Sequence, residues 1–343
     1  ALTYRFVGER MWIGRVYASL FWIIGGLGIW FLARDLGMRY GGLIALAYFL
    51  FLPFGIIASR TMMPDPLMVA LMIWSIWALH RWGRMPSWGI AILAGLFTGA
   101  AILVKSVIVF PLLGAAAALV LSRRPIKKIF RDGKMWLLIG LAVLPTALYY
   151  LFGLFVDESL RGQFSLRFFP DMLTDPSFYG KWLFLMAGIT GWAALFLSLS
   201  GFFLFPTREI RFMFLGLWVG YLVYGLVFPY HFLTHEYYHL PLLAVIAIGL
   251  IPPAQVLFDQ LGKHLVRGAG RRSTFWVKMG VTGILLLAIA MSVWDARNTM
   301  VRDNYRHEVP YWSELGQLIG HDKQVVQLSG DYGFRLAFFG WVD

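Results

Sequence analysis

An all-α protein that crosses a membrane many times is the fold class that three features of the sequence predict. Hydrophobic residues make up 59% of the chain and charged residues only 14%, whereas soluble domains carry about 25% charged residues. Long apolar runs recur along most of the chain. Short polar segments separate these runs and hold most of the charge, as expected for loops between membrane-crossing helices.

The apolar runs predict about ten transmembrane helices, because one crossing needs roughly 20 apolar residues. They occupy residues 12–33, 42–58, 66–80, 87–104, 107–122, 135–155, 182–205, 212–228, 240–258 and 277–294. The run at 107–122 is short. It and the run before it are either two short helices that meet at Lys105-Ser106 or one broken element.

Lys and Arg are concentrated in alternate loops, which predicts the orientation of the chain. The rich loops hold Arg34, Arg39, Arg81, Arg84, Arg123, Arg124, Lys127, Lys128, Arg131, Lys134, Arg208, Arg211, Lys263, Arg267, Arg271, Arg272 and Lys278. Cytoplasmic loops collect positive residues. The other loops, namely Arg60–Asp65, Lys105, 156–181, 229–239 and the tail after 295, are therefore expected outside the plasma (inner) membrane.

The same bias accounts for the formal net charge of +12 without a nucleic-acid partner. The chain has no cysteine, so disulfides, thiolate metal sites and a Cys nucleophile are excluded.

The outer loop at 156–181 mixes charged and aromatic residues. It is either an amphipathic element lying along the membrane interface or a solvated connector with aromatic anchors.

The two parts of the chain are predicted to be a transmembrane domain at 1–295 and the beginning of a small outer α/β domain at 296–343. In the second part, Tyr311–Ile319 has the pattern of a short amphipathic helix and Val325–Leu328 that of a strand. Gly330-Asp331-Tyr332-Gly333 is typical of a turn. We expect residues beyond both ends of this sequence.

A short polar hinge at Ser59–Leu67 places Arg60 and Asp65 between two apolar runs. Ionisable groups at such depth are functional candidates, because placing them there is costly without a partner or a water-filled cavity. Pro66 suits the first turn of a helix, so Asp65 could also act only as a helix cap. In the functional interpretation, the carboxylate contacts a metal, a sugar or a proton, and Arg60 pairs with it or binds a phosphate.

Lys105 interrupts an apolar stretch on the same predicted face of the membrane. Its ammonium group either snorkels to the interface or faces a lipid phosphate. The sequence alone leaves these two interpretations open.

The outer segment Pro229–Pro241 contains His231, His235 and His239 at four-residue spacing. His235-Glu236-Tyr237-Tyr238-His239 fits the H-E-x-x-H pattern of zinc peptidases. That pattern is short, and Pro241 makes a continuous helix doubtful. The segment could also anchor the chain at the interface. The preferred interpretation is a polar edge of the site that contains Asp65.

Four stretches in order resemble one family. The span beginning at Glu9, the segment ASRTMMPDPLMV and the segments AGLFTGAAILVKS and THEYYHLPLLAVIAIG resemble GT-C membrane glycosyltransferases. The branch they resemble is that of protein O-mannosyltransferases and aminoarabinose transferases. Together they cover roughly residues 5–258. The resemblance implies an inverting enzyme that moves a sugar from a polyprenyl-phosphate carrier to a protein, lipid or glycan acceptor outside the membrane.

The resemblance also implies roles for individual residues. By position Asp65 matches the family's second acidic residue, which shapes the site and supports the base or a metal. Asp65 and Glu236 are the catalytic candidates. The His235–His239 segment is expected to contribute to the donor or metal site, with His235 and His239 as candidate ligands of a divalent metal ion. Arg60, Lys105, Tyr237 and Tyr238 are the candidates for binding the carrier. Membrane lipids and other subunits of a membrane complex are the further expected partners.

One feature departs from the family pattern. The catalytic carboxylate of the family's first outer loop would precede Ala1, and Glu9 aligns with the start of the next span instead. Either the sequence is a piece of a longer enzyme, or the protein is an inactive relative that serves as a structural or accessory membrane subunit. An intramembrane zinc protease is the third hypothesis. It requires one helix through His235 and His239 and a third ligand.

Overall fold

The structure, a computed structural model, describes residues 2–8, 10–123, 131–161, 168–268, 271–328 and 333–342. Its α-helices in chain order are α1 (Leu2–Val7), α2 (Met11–Asp35), α3 (Arg39–Phe51), α4 (Pro53–Ala58), α5 (Asp65–Arg84), α6 (Trp88–Val104), α7 (Val109–Arg123), α8 (Gly133–Phe155), α9 (Pro176–Thr190), α10 (Trp192–Leu204), α11 (Arg208–Val227), α12 (Pro229–Thr234), α13 (Leu240–Gly268), α14 (Arg271–Arg302), α15 (Glu308–Ile319) and α16 (Phe334–Gly340). Within the described residues, 3-10 turns lie at Ser106–Ile108, Pro170–Thr174 and Glu236–His239.

The all-α class is confirmed for the described residues, which contain no strand. The predicted strand at Val325–Leu328 is wrong. Val326 is 93% exposed and Leu328 is 99% exposed, so the segment lacks the neighbouring strands that would bury it. The predicted turn at 330–333 lies mostly outside the described residues. Glu9, Arg124, Lys127, Lys128 and residues 162–167 of the 156–181 loop also lie outside them.

Five helices are long and apolar enough to cross a membrane, judged by length and composition within the described residues. They lie at Trp12–Asp35, Gly133–Phe155, Arg208–Val227, Glu236–Leu261 and Met279–Arg302. A sixth crossing results if the bent pair α9 and α10 is one span. The chain is thus a multi-pass membrane protein, whereas the number of about ten crossings stays a prediction.

The apolar run at 182–205 is not the single helix that the sequence predicts. It breaks at Gly191, and α9 and α10 make an angle of 96°. Gly191 has a φ of +83°, a conformation that favours glycine because it has no Cβ.

Asp175 caps the start of α9, and hydrogen bonds from the side chain and backbone N–H of Ser177 lower the pKa of its carboxyl group. The cap is therefore formed at neutral pH and is lost on acidification through that lowered pKa.

The first compact unit, Ala1–Val293, is held together by helices whose backbones touch at glycines. A Cβ on Gly114 of α7 would collide with the carbonyl of Gly216 on α11, and a Cβ on Gly220 with the carbonyl of Phe110. A Cβ on Gly99 of α6 would meet the carbonyl of Leu141 on α8. Small residues at such contacts let membrane helices approach closely, which provides van der Waals packing where lipid supplies no hydrophobic driving force.

The second compact unit, Trp294–Asp343, contains α15 and α16. These helices cross where Gly316 contacts Gly340, and Arg335 forms an ion pair of 2.7 Å with Glu308. The predicted amphipathic helix at Tyr311–Ile319 is therefore confirmed and begins three residues earlier, at Glu308. The assignment of 296–343 to an outer soluble domain stays a prediction.

The contact between α6 and α8 yields a stability prediction. Gly99→Ala should lower the unfolding temperature, because overpacking typically costs about 1–3 kcal/mol. Gly140→Ala on α8 is the matched control, since a Cβ there meets nothing within 4 Å. The control should be neutral or stabilising, as alanine favours helix over glycine. Thermal unfolding of the detergent-solubilised protein, followed by tryptophan fluorescence, measures both. Equal shifts in the two variants would contradict the packing assignment.

Candidate functional site

Two interruptions in helical structure place the polar residues of the candidate site. Lys105 ends α6 in an extended conformation (φ −156°, ψ 108°), and the 3-10 turn Ser106–Ile108 leads into α7. The pair of short helices meeting at Lys105-Ser106 is thus what the structure contains. His235 likewise ends α12 with an extended backbone (φ −133°, ψ 97°), and the turn Glu236–His239 leads into α13.

Asp65 forms the central contact of the site with Lys105. The Lys105 Nζ donates a hydrogen bond of 2.8 Å to Asp65 Oδ1. The Asp65 side chain is 1% exposed and that of Lys105 is 20% exposed. Asp65 Oδ2 is also buried and has no hydrogen-bond partner among the described residues. A buried charge costs less free energy when it is paired, so each residue makes the burial of the other possible.

The helix-cap interpretation of Asp65 is wrong. Pro64 occupies the N-cap position of α5, Asp65 is the first helical residue, and no side chain caps this end. Pro66 does lie in the first turn, as predicted. The carboxylate is therefore directed to Lys105 across the site. Its negative charge also interacts favourably with the positive, N-terminal end of the α5 dipole.

Tyr237 and Tyr238 place their rings beside the same ammonium group. The Lys105 Nζ lies 4.6 Å from the centroid of the Tyr237 ring and 4.9 Å from that of Tyr238. Both distances allow cation–π attraction, which becomes stronger where water is excluded. Tyr238 stacks at 5.8 Å on Tyr224 of α11, which stacks in turn on Phe110 of α7. The structure thus brings Asp65, Lys105, Tyr237 and Tyr238 together from three separate segments.

Arg60 and Glu236 lie at the edge of this arrangement. The Arg60 side chain is exposed, and within the described parts of the chain the Asp65 carboxylate pairs with Lys105 instead of Arg60. Glu236 is exposed on the turn that carries Tyr237. Neither residue is tied by an ion pair in the described structure, so both side chains can reorient toward a ligand.

His239 does not fit the role of metal ligand, because both of its ring nitrogens are engaged. Nδ1 lies 2.6 Å from the Tyr221 hydroxyl and Nε2 lies 2.8 Å from the Phe232 carbonyl oxygen. His239 is fully buried. Metal binding would require an imidazole nitrogen with an available lone pair.

His235 differs from His239 in its ring contacts. The Thr234 hydroxyl donates to the Tyr230 carbonyl at 2.8 Å, so it accepts at 2.7 Å from His235 Nδ1–H. In the neutral ring this arrangement leaves the proton off Nε2. His235 Nε2 therefore keeps a lone pair available to a ligand, whereas both ring nitrogens of His239 are hydrogen-bonded.

The zinc-peptidase interpretation fails on the path of the backbone. One helix would have to run through His235 and His239, but α12 ends at Thr234 and a 3-10 turn follows. No group of three or more His, Cys, Asp or Glu residues that could hold a metal ion occurs among the described residues. Of the two residues predicted to hold a divalent metal, only His235 keeps an available ring nitrogen, so the pair does not fit a metal site.

The residues on α8 and α11 that support the site were not predicted from the sequence. Tyr221 and Tyr224 on α11 are buried and contact His239 and Tyr238, respectively. Tyr150 on α8 donates a hydrogen bond of 2.8 Å to the Ser106 hydroxyl beside Lys105. Tyrosines spaced three residues apart within an apolar run were the available signal, since a buried phenol usually has a hydrogen-bond partner.

A second ion pair lies at the opposite end of α5. Arg81 donates a hydrogen bond of 2.7 Å to Asp35, which also accepts one from Trp77 at 3.0 Å. The 20 residues of α5 span about 30 Å. The Asp65–Lys105 pair and the Arg81–Asp35 pair therefore lie at opposite ends of one helix.

Helices long enough to cross a membrane and a buried ion pair at one helix end define a polytopic membrane protein with a polar site at the start of α5. The family model described as dolichyl-phosphate-mannose-protein mannosyltransferase matches residues 1–150. This match includes Asp65 and Lys105 and supports a membrane glycosyltransferase of the GT-C type. A comparison with curated protein sequences finds no match.

The burial of the central pair predicts unequal effects of substitution on stability. Lys105→Met should destabilise by about 3–5 kcal/mol, since it leaves the Asp65 carboxylate buried without a partner. Asp65→Asn combined with Lys105→Met should recover part of that loss, because no unpaired carboxylate remains. Arg302→Met is the control, because both side chains of the Arg302–Asp303 pair are exposed, by 76% and 45%, and exposed pairs contribute about 0–1 kcal/mol.

Thermal unfolding in detergent, with the single and double variants measured side by side, checks this prediction. Additive losses in the double variant would mean that the pair is not energetically coupled.

Proposed function

We propose that this protein is a GT-C glycosyltransferase that moves a sugar from a polyprenyl-phosphate carrier to an acceptor on the extracytoplasmic face of the plasma membrane. The observation that supports it most is the meeting of Asp65, Lys105 and the Tyr237–Tyr238 pair near one end of α5. A buried carboxylate, a cation and aromatic rings suit a ligand that carries both hydroxyl groups and a phosphate.

The carrier phosphate is the leaving group in this proposal. As the bond between the anomeric carbon and the phosphate oxygen breaks, the phosphate retains the electron pair and gains negative charge. Lys105 has three N–H donors, of which one is bonded to Asp65 Oδ1. Its other donors and the exposed Arg60 supply positive charge for the developing anion, and such groups act most strongly where water is excluded. The polyprenyl tail stays in the lipid.

The new bond forms between an acceptor hydroxyl oxygen and the anomeric carbon, on the face opposite the leaving group. The hydroxyl proton passes to a base. Asp65 Oδ2, buried and without a partner in the described structure, can accept a hydrogen bond from a sugar or acceptor hydroxyl. Glu236 is exposed, so an acceptor arriving from water can reach its carboxylate. Asp65 and Glu236 are therefore the proposed catalytic carboxylates.

The outer location is supported by the distribution of charge along α5. Arg81 and Arg84 occupy its last turn, and Asp65 occupies its first. Positive residues favour the cytoplasmic side, which supports an outer position for the Asp65 end. The proposal also covers the acceptor, which is a protein, a lipid or a glycan, and association with other subunits of a membrane complex.

Transfer activity tests the proposed chemistry. The full chain is reconstituted in vesicles with polyprenyl-phosphate mannose labelled in the sugar, and label is followed into protein, lipid and glycan fractions from the same cells. Asp65→Asn and Lys105→Met should each lower the rate by about 10²-fold, the usual effect of removing a group that stabilises transition-state charge. Asp35→Asn is the control and should keep wild-type transfer, because its ion pair lies at the other end of α5.

Equal losses in Asp65→Asn and Asp35→Asn would show that the ion pairs act through folding alone. If the folded wild-type chain transfers no label from mannose or other polyprenyl-linked sugars, the enzymatic proposal fails. The role of an accessory membrane subunit would then be the better description.

The absence of cysteine from the chain allows a direct test of orientation. Met62 precedes α5 and Met85 follows it, and both side chains are exposed. In intact cells a membrane-impermeant maleimide should label Met62→Cys, whereas Met85→Cys should react only after the membrane is permeabilised. The reverse pattern would place the candidate site on the cytoplasmic face.

A further inference from the structure

His239 lies at the centre of a buried chain of hydrogen bonds that none of the proposed catalytic steps uses. Trp182 Nε1 of α9 donates to the Tyr221 hydroxyl of α11 at 3.2 Å. That hydroxyl lies 2.6 Å from His239 Nδ1. His239 Nε2 lies 2.8 Å from the carbonyl oxygen of Phe232 on α12. One imidazole therefore joins elements that are far apart in the sequence.

The directions of these hydrogen bonds determine the tautomer of His239. The Phe232 carbonyl can only accept, so Nε2 carries the proton. The imidazole is fully buried, and its ring nitrogens bond to a hydroxyl and a carbonyl instead of a carboxylate, which favours the neutral ring. Nδ1 of the neutral ring then lacks a proton and accepts from the Tyr221 hydroxyl, which itself accepts from Trp182. His235 has the opposite tautomer, with the proton on Nδ1.

This chain of hydrogen bonds compensates for the break between α12 and α13. When a helix ends, the carbonyls of its last turn lose their intrahelical donors. At the end of α12 the His239 side chain supplies a donor to the Phe232 carbonyl and ties the end of the following turn back to the helix. Tyr237 and Tyr238 lie within that turn, immediately before His239. Their positions over Lys105 therefore depend on the imidazole.

We propose that His239 is a positioning residue for the Lys105 site. By bonding to Tyr221 and to the Phe232 carbonyl, it fixes the turn Glu236–His239 so that the rings of Tyr237 and Tyr238 cover the Lys105 ammonium beside Asp65. This role replaces metal binding by His239. The kinetic consequence rests on the proposed transferase function, whereas the structural consequence does not.

The chain offers a matched set of variants. Tyr221→Phe removes only the hydroxyl that donates to His239, and His239→Phe removes both ring nitrogens while keeping an aromatic side chain. His239→Gln retains an N–H that can reach the Phe232 carbonyl. Tyr48→Phe is the control, because Tyr48 also has a hydroxyl hydrogen bond, of 2.9 Å to the Thr190 carbonyl, but that bond lies in a different helix pair.

The first readout does not require enzymatic activity. The purified full chain in detergent is treated with an amine-acylating ester, and the rate at Lys105 is measured by mass spectrometry relative to the exposed Lys181. Tyr221→Phe and His239→Phe should both accelerate acylation of Lys105, since its aromatic cover loosens. His239→Gln should restore part of the protection, and Tyr48→Phe should leave the rate at its wild-type value.

The second readout is steady-state transfer from polyprenyl-phosphate mannose. Tyr221→Phe should raise the KM for this donor about tenfold, or ~1.4 kcal/mol, with a smaller change in kcat. Tyr48→Phe should leave KM unchanged even if it lowers the unfolding temperature. If His239→Phe does not fold, Tyr221→Phe carries both comparisons.

Equal effects of Tyr221→Phe and Tyr48→Phe on Lys105 acylation would overturn the positioning role. So would a His239→Gln variant as reactive at Lys105 as His239→Phe. A wild-type chain without transfer activity would refute the proposed function only, since the acylation rates would still decide the role of His239.

Discussion

The ion pair between Asp65 and Lys105 is the interaction on which the rest of the site depends. A carboxylate with 1% of its side chain exposed needs a compensating charge. That charge comes from a lysine forty residues away, at the end of another helix. The pair therefore constrains the start of α5 and the end of α6 to one place. Glycine contacts such as that between Gly99 and Leu141 hold the helices that bring these ends together.

Breaks in helical structure, more than the helices themselves, supply the polar groups. A continuous helix satisfies its own backbone and presents side chains to lipid or to neighbouring helices. At Lys105 and at His235 the chain becomes extended and then forms a single 3-10 turn. Each break directs polar side chains inward and leaves backbone groups that need partners. Tyr150 and His239 supply hydrogen bonds beside these two breaks.

The segment from His235 to His239 illustrates how a short sequence pattern can suggest the wrong chemistry. Four-residue spacing places two histidines on one face only if the chain is helical between them. Here one histidine ends a helix and the other closes the next turn, so their rings make different contacts. His239 satisfies a backbone carbonyl in the interior, and His235 bonds to a neighbouring threonine. The same residue types thus serve structure at one position and remain available for ligand contact at the other.

The sequence by itself determined the all-α membrane class and the break at Lys105-Ser106. It also identified Asp65, Lys105 and the Tyr237–Tyr238 pair as candidate site residues. These follow from hydropathy and from charge placed where lipid penalises it, which are local properties of the chain. Only the tertiary structure decided that Asp65 pairs with Lys105 instead of Arg60, that Gly191 divides one apolar run into two helices, and that His239 bonds to Tyr221. Those outcomes depend on which distant segments come into contact, and the packing of whole helices sets that proximity.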